Sequence, residues 1–200
     1  MKNTTVAFAL ILVAGLWRAL SAFEPTLSNV APITAFAFCG AAYLRDWRWW
    51  LVPFLALMLS DLWLNHYHAT RFGYSWSAGE ILLRLAWFAA AVGVGRLVAR
   101  KRNVLNVLGG AVGSALIFYV GTNTVSWAAD PFYAKSLAGW SQALTVGHPE
   151  YPSTLWFFRN TLFGDLLFTG MFILAMEIAS ARRGRILIGP HPADSHLGGH

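Results

Sequence analysis

Long apolar tracts, separated by short polar or charged segments, dominate the pattern along this chain. A helix needs about 20 mostly apolar residues to cross the hydrocarbon core of a bilayer, and several tracts approach or exceed that length. The tracts run over residues 6–23, 30–44, 47–64, 79–98, 104–129 and 155–181. Trp17 and Arg18 stand where a signal peptidase needs small neutral residues, so we expect the first tract to be a span rather than a cleaved signal peptide. The pattern predicts an all-α, polytopic membrane protein, with one domain of six transmembrane helices over residues 1–183 and a disordered cytoplasmic tail at 184–200.

The composition excludes a soluble protein. Hydrophobic side chains make up 56% of the 200 residues and only 12% are charged, which lies well outside the usual range of soluble domains. Soluble enzymes and nucleic-acid-binding proteins are therefore excluded. The formal net charge of +6 is typical of the Lys and Arg residues that mark the cytoplasmic side of a membrane protein.

The distribution of Lys and Arg predicts the orientation in the membrane. Basic residues are concentrated before the first span and after the second, fourth and sixth, whereas the other connections contain only Arg71 and Lys135. Since cytoplasmic loops retain Lys and Arg, we expect a multi-pass protein of the inner (plasma) membrane with both termini in the cytoplasm. The external connections at 24–29, 65–78 and 130–154 are rich in Pro, His and aromatic residues, and we expect ligand binding on that side.

Polar residues within the predicted spans are the candidate binding residues. Charges in a bilayer are costly, so each one suggests a function and a partner, and the predicted topology places those of this chain in the outer half of the membrane. The predicted substrate-binding site consists of Asp61, Arg84, Asn123, Arg159, Asn160 and Asp165. In the alternative interpretation, pairs between arginines and carboxylates, with Arg18 among them, only hold the helices together.

Other kinds of chemistry have no motif in this sequence. We find no nucleophile elbow, no zinc-binding His-Glu-x-x-His helix and no phosphate-binding glycine loop, so we predict neither catalytic residues nor a cofactor. Cys39, His66, His68 and His148 could ligate a metal, but no metal-binding spacing connects them. Aromatic residues of the external connections and the adjoining span ends, such as Tyr133, Tyr151 and Trp156, could stack on a flat ligand or form the aromatic belt of a membrane interface.

Three short motifs carry a resemblance to a known group of proteins. They are Pro32-x-x-Ala35-x-Ala37-x-x-Gly40-Ala41 in the second span, Pro53 to Asp61 in the third, and Tyr151-Pro152 leading to Asn160-x-x-x-Gly164-Asp165 in the sixth. With six spans, this pattern resembles a poorly characterised bacterial membrane family related to the S components, the substrate-binding subunits of energy-coupling-factor (ECF) vitamin transporters. The resemblance covers most of residues 19–177. It implies a six-helix bundle that binds a vitamin at its outer helix ends and loops.

The resemblance also implies partners. S components that share an energising module commonly have an Ala-x-x-x-Ala face on the first helix, whereas this chain has Gly15-x-x-x-Ala19, so both docking on an ECF module and a solitary protein are compatible with the sequence. Solitary relatives include cobalamin transporters, which makes a corrinoid a candidate substrate. The expected function is uptake or capture of a vitamin or cofactor-like molecule. The alternative is a non-transporting scaffold or assembly protein with a structural ion-pair layer.

Overall fold

The structure, a computed structural model, describes residues 33–44, 51–73 and 77–181, together with single positions between residues 5 and 17. Its helices, in chain order, are α1 (Ile33–Tyr43), α2 (Leu51–Phe72), α3 (Ala78–Val98), α4 (Val104–Ala129), α5 (Leu137–Leu144) and α6 (Thr154–Ala181), with a 3₁₀ turn at Ala99–Lys101 after α3. No strand occurs in these ranges. The predicted tail at 184–200 and most of the first tract lie outside the described residues.

Three of the helices are long and apolar enough to cross a membrane. They are Ile81–Lys101, which joins most of α3 to the 3₁₀ turn, and the whole of α4 and α6. They match the fourth, fifth and sixth predicted spans. The chain is therefore a helical protein with at least these three candidate membrane-spanning helices, and the prediction of six spans remains a prediction.

The α2 helix is longer than predicted. The apolar tract ends at Leu64, but the helix continues to Phe72, which places His66 on the helix rather than in a loop. The hydroxyl group of Thr70 donates to the backbone carbonyl of His66 (3.0 Å) within this extension. Gly73 follows the last helical residue, and its φ of 68° is the left-handed conformation that commonly terminates a helix.

The short helix α1 forms the centre of the described bundle. Every residue from Ala35 to Leu44 is buried, and Phe36, Phe38 and Cys39 are at most 2% exposed. The longer helices α3 and α6 pack on it, as do α2 and α4. Because its longer neighbours cover it, a helix of 11 residues can lie inside the bundle although it is too short to span the bilayer alone.

Close packing between α3 and α1 depends on Gly95. A Cβ atom at this position would overlap the backbone carbonyl oxygen of Phe38 and lie 2.9 Å from the Cβ of Ala41. We therefore expect Gly95→Ala to lower the free energy of unfolding by about 1–3 kcal/mol through overpacking. Denaturant unfolding in mixed micelles measures this change.

Gly93 provides the matched control for Gly95. Outside the backbone of its own helix, no atom of the described residues lies within 4 Å of a Cβ built on Gly93, so Gly93→Ala should leave the free energy of unfolding unchanged or raise it slightly through helix propensity. Equal destabilisation by the two substitutions would contradict the close α1–α3 contact.

The connection between α4 and α6 contains a helix that the hydropathy pattern does not predict. Ser136 caps the start of α5 by accepting a hydrogen bond from the backbone N–H of Gly139 (3.2 Å). Two indole N–H groups fasten the segment to α4, since Trp127 donates to the carbonyl of Ala134 and Trp140 donates to the hydroxyl of Thr124, both at 2.9 Å. We call this end of the bundle, formed by the last turns of α4, by α5 and by the first turns of α6, the α5 end.

Candidate functional site

A pocket of about 330 Å³ opens at the α5 end between α4 and α6. The connection that contains α5 closes one of its sides. Its lining residues are Phe118, Tyr119, Thr122, Asn123 and Ser126 from α4, Tyr133, His148, Tyr151 and Pro152 from the connection, and Thr154, Phe157, Phe158 and Thr161 from α6. This volume lies at the lower end of the range typical of small-molecule sites, which are usually apolar clefts with a few placed polar groups.

The polar side chains of the two helices present mainly acceptor atoms to the pocket. The hydroxyl of Thr122 donates to the carbonyl of Phe118 (2.7 Å), and that of Thr161 donates to the carbonyl of Phe157 (3.1 Å). Each hydroxyl has a single hydrogen, so only the oxygen lone pairs of these two residues remain for a ligand.

Asn123 adds another acceptor to the pocket. Its Nδ2 donates to the carbonyl of Tyr119 (2.7 Å), which fixes the orientation of the amide. The carbonyl oxygen Oδ1 makes no hydrogen bond to any residue in the described part of the chain. It is therefore available to accept a hydrogen bond from a ligand N–H or O–H.

Two residues of the connection contribute donors. Burial raises the pKa of the Tyr133 phenol above its usual value, and the nearby carboxylate of Asp130 raises it further, so the hydroxyl keeps its hydrogen at neutral pH. In His148, Nδ1 accepts a hydrogen bond from the backbone N–H of Glu150 (3.3 Å), which leaves the hydrogen of a neutral imidazole on Nε2.

Aromatic rings supply much of the pocket wall. The rings of Tyr119 and Phe158 lie 4.3 Å apart between α4 and α6. In the connection, the imidazole of His148 lies 4.2 Å from the ring of Phe132 and 6.0 Å from that of Tyr151. Rings in these positions offer flat apolar surfaces on which a planar ligand can stack.

The structure separates the residues predicted for the binding site. Asn123 lines the pocket, but Arg159 is an exposed residue of α6 that does not. The guanidinium of Arg159 lies 5.7 Å from the ring centre of Trp156, and its Nη2 lies 3.5 Å from Oδ1 of Asn160. Among the described side chains of the predicted site, Asn123 therefore lines the pocket, whereas Arg159 and Asn160 contact each other outside it.

Two further predicted residues lie in the interior rather than in the pocket. Asn160 and Asp165 are 8% and 2% exposed, and Asp165 is close to the backbone of Ala35 in α1. Arg159 does not pair with Asp165, since neither carboxylate oxygen of Asp165 has a hydrogen-bond partner among the described residues. Arg159 and Asp165 are six positions apart, which places them on different faces of the helix.

The remaining predicted residues cannot be assigned to a site. Asp61 lies in α2 and Arg84 in α3, but their side chains, and all of Arg18, lie outside the described residues. Within the described ranges, no three His, Cys, Asp or Glu side chains are grouped as a metal site would require. Cys39 lies away from the pocket, in the contact between α1 and α6.

The residues predicted from the sequence did not include the hydroxyl groups and the α6 rings of the pocket, such as Thr122, Ser126, Phe158 and Thr161. One signal for them was present. Thr122 and Ser126 are four residues apart and next to or near Asn123, so they form a polar face at the end of an apolar helix. The signal is weak, because hydroxyl residues in a span can also satisfy themselves by bonding to their own helix.

Comparison with known proteins identifies the family of the chain. A family model described as "Family of unknown function (DUF6580)" matches residues 1–187. The chain belongs to this family. The DUF6580 match includes every described helix, so both the pocket and Asp165 lie in the region that defines the family. No curated protein and no solved structure shows a significant match.

Proposed function

We propose that this DUF6580 protein captures a vitamin-like or cofactor-like small molecule at the external face of the plasma membrane, as a transporter or as the substrate-binding subunit of one. The observation that carries the proposal is the pocket at the α5 end. It combines aromatic walls with a few oriented polar groups, which is the usual composition of a small-molecule site. The motifs that resemble those of ECF S components support the same function.

The orientation of the pocket supports uptake from outside. The connection around the pocket lies on the side that contains few basic residues, whereas Arg96, Arg100, Lys101 and Arg102 lie at the opposite ends of α3 and α4. The positive-inside rule therefore favours an external position for the α5 end. In this proposal the chain crosses the inner membrane six times and has both termini in the cytoplasm.

The chemistry of the pocket favours a flat heterocycle that carries N–H donors. Thr122, Asn123 and Thr161 offer acceptor oxygens, and no Lys, Arg, Asp or Glu occurs among the described residues that line the pocket. An anionic ligand would therefore find no Lys or Arg partner among these residues, and the imidazole of His148 has the carboxylate of Glu150 3.9 Å from its Nδ1. A volume of about 330 Å³ fits a molecule of one or two rings better than a corrinoid, whose macrocycle is much larger.

A thermal-shift series on the detergent-purified protein tests this function. Compounds that bind only the folded state raise its apparent stability by mass action, and the panel contains pterins, aminopyrimidines, purines, other vitamins and corrinoids. We expect a concentration-dependent rise in Tm from a one- or two-ring heterocycle. A rise in Tm only with corrinoids would overturn the proposed ligand class, but it would still support the capture of a small molecule.

Absence of any shift, together with a stably co-purifying protein, would favour the scaffold or assembly function instead. Co-purification also tests whether a partner protein supplies the energy for uptake. If binding is confirmed, an ATPase module that co-purifies with the loaded protein would identify a partner-driven transporter, whereas uptake by the chain alone in liposomes would identify a solitary one.

A further inference from the structure

Asp165 is a buried carboxyl group that the pocket does not use. It is 2% exposed, and neither of its oxygens has a hydrogen-bond partner among the described residues. An ionised carboxylate without a partner is strongly disfavoured in apolar surroundings. Charged residues within transmembrane segments often mark proton relays or ion pathways.

Two other polar side chains lie beside it. The thiol of Cys39 in α1 donates to the hydroxyl oxygen of Thr169 in α6 (3.8 Å), and both residues are completely buried. Asp165 and Thr169 are one helical turn apart on the same face of α6, and Cys39 interacts electrostatically with Asp165. We call Cys39, Asp165 and Thr169 the α1–α6 polar cluster.

The first turn of α1 can stabilise a negative charge on Asp165. The backbone of Ala35 lies close to the Asp165 carboxyl group, although no hydrogen bond forms between them, and Ala35 is the third residue of the helix. The first N–H groups of a helix have no partner within it and carry a partial positive charge. Burial thus favours the neutral carboxyl, whereas the helix N-terminus supports the ionised one.

Other titratable groups are distributed around this cluster. Farther along the α1–α6 contact, Tyr43 interacts with Glu177 and with Arg102, and the guanidinium of Arg102 lies 4.6 Å from the Tyr43 ring centre.

On α4, which also packs against α6, the titratable residue is Tyr119 in the pocket. The first tract approaches α6 through Trp17, whose ring lies 5.7 Å from that of Phe168, and its Arg18 lies outside the described residues.

We propose that Asp165 is a reversible proton-binding site inside the bundle. In the neutral state the carboxyl group holds the proton. Release breaks its O–H bond, transfers the proton to water and leaves a carboxylate beside the N-terminus of α1. Thr161 of the pocket lies one turn from Asp165 on the same face of α6. The proposal rests on α1 and α6 and does not require the proposed ligand.

Infrared spectroscopy of the complete 200-residue chain in liposomes tests the site, with pH as the only variable. Cys39 is the single cysteine, so the S–H stretching band belongs to one known group. We expect this band to shift as the pH is raised from mildly acidic to mildly alkaline, in parallel with loss of a protonated-carboxyl C=O band. Asp165→Asn should abolish the S–H shift and remove the corresponding carboxyl intensity.

Asp130→Asn is the matched control, since Asp130 lies outside the membrane helices at the end of α4, and it should retain both changes. A wild-type S–H band that stays constant throughout the pH range would overturn the proposal. So would equal carboxyl intensity in wild type and Asp165→Asn at neutral pH, because Asp165 would then be ionised. The wild-type band tests the site even if the Asp165 variant does not fold.

Discussion

Replacing Asn123 with Leu should weaken binding of the pocket ligand by roughly tenfold to a hundredfold, because a ligand N–H loses its acceptor and is buried without a partner, at a cost of about 1–3 kcal/mol. The amide of Asn123 is held in place by its bond to the carbonyl of Tyr119, so its free oxygen has a defined direction. The measurement is the dissociation constant of the compound that gives the largest thermal shift.

Arg159→Gln is the control. It tests whether the ligand binds in the pocket or at the charged residues predicted from the sequence. Arg159 is exposed and does not line the pocket, so this variant should bind the compound within about twofold of wild type, a difference of less than 1 kcal/mol. If Arg159→Gln abolished binding while Asn123→Leu had no effect, the site would lie elsewhere than in this pocket.

Truncation of Phe172 should produce the largest loss of stability that we predict. Its ring is completely buried and lies 5.7 Å from that of Phe36 and 5.5 Å from that of Tyr43, between α6 and α1. Phe172→Ala leaves a cavity at this contact and should lower the free energy of unfolding by about 3 kcal/mol. Denaturant titration in mixed micelles, followed by circular dichroism, measures the loss.

Phe163→Ala is the matched control on the same helix. Phe163 is 61% exposed and faces away from the described neighbours, so its removal creates no cavity and should change the free energy of unfolding by less than about 0.5 kcal/mol. A comparable loss from both variants would show that the Phe172 contact with α1 does not stabilise the bundle.

The long helices were predictable because two signals coincide at their ends. The predicted ranges 79–98, 104–129 and 155–181 agree within one residue with α3, α4 and α6. Their apolar tracts are long, and charged or capping residues mark the boundaries. Asn103, for example, caps α4 by accepting from the backbone N–H of Asn106 (2.7 Å).

Hydropathy was a poorer guide where helix and membrane boundaries differ. The predicted third span stops with its apolar tract at Leu64, yet α2 continues to Phe72, because polar residues outside a bilayer also form helices. The short α5 was missed for a related reason. Its eight residues are too few to span a membrane, and contacts with α4 hold it in place.

The direction of side chains explains why the predicted site was only partly assembled. Position along a helix gives the depth of a residue in the membrane, and Arg159 and Asn160 have nearly the same depth. Depth alone does not give the direction in which each side chain points. Successive residues of a helix point about 100° apart because one turn contains 3.6 residues. Asn160 is therefore buried, whereas Arg159 is exposed.

By itself, the sequence determined the helical class, the long apolar helices and the polar residues on which function can depend, because these features follow from local hydrophobicity and charge. Only the tertiary structure decided that α1 is the buried centre, that Asn123 joins hydroxyl groups and rings in a pocket, and that Asp165 lies apart with Cys39 and Thr169. Residues distant in the chain meet through packing between helix faces, and the neighbours on each face are set by the whole bundle.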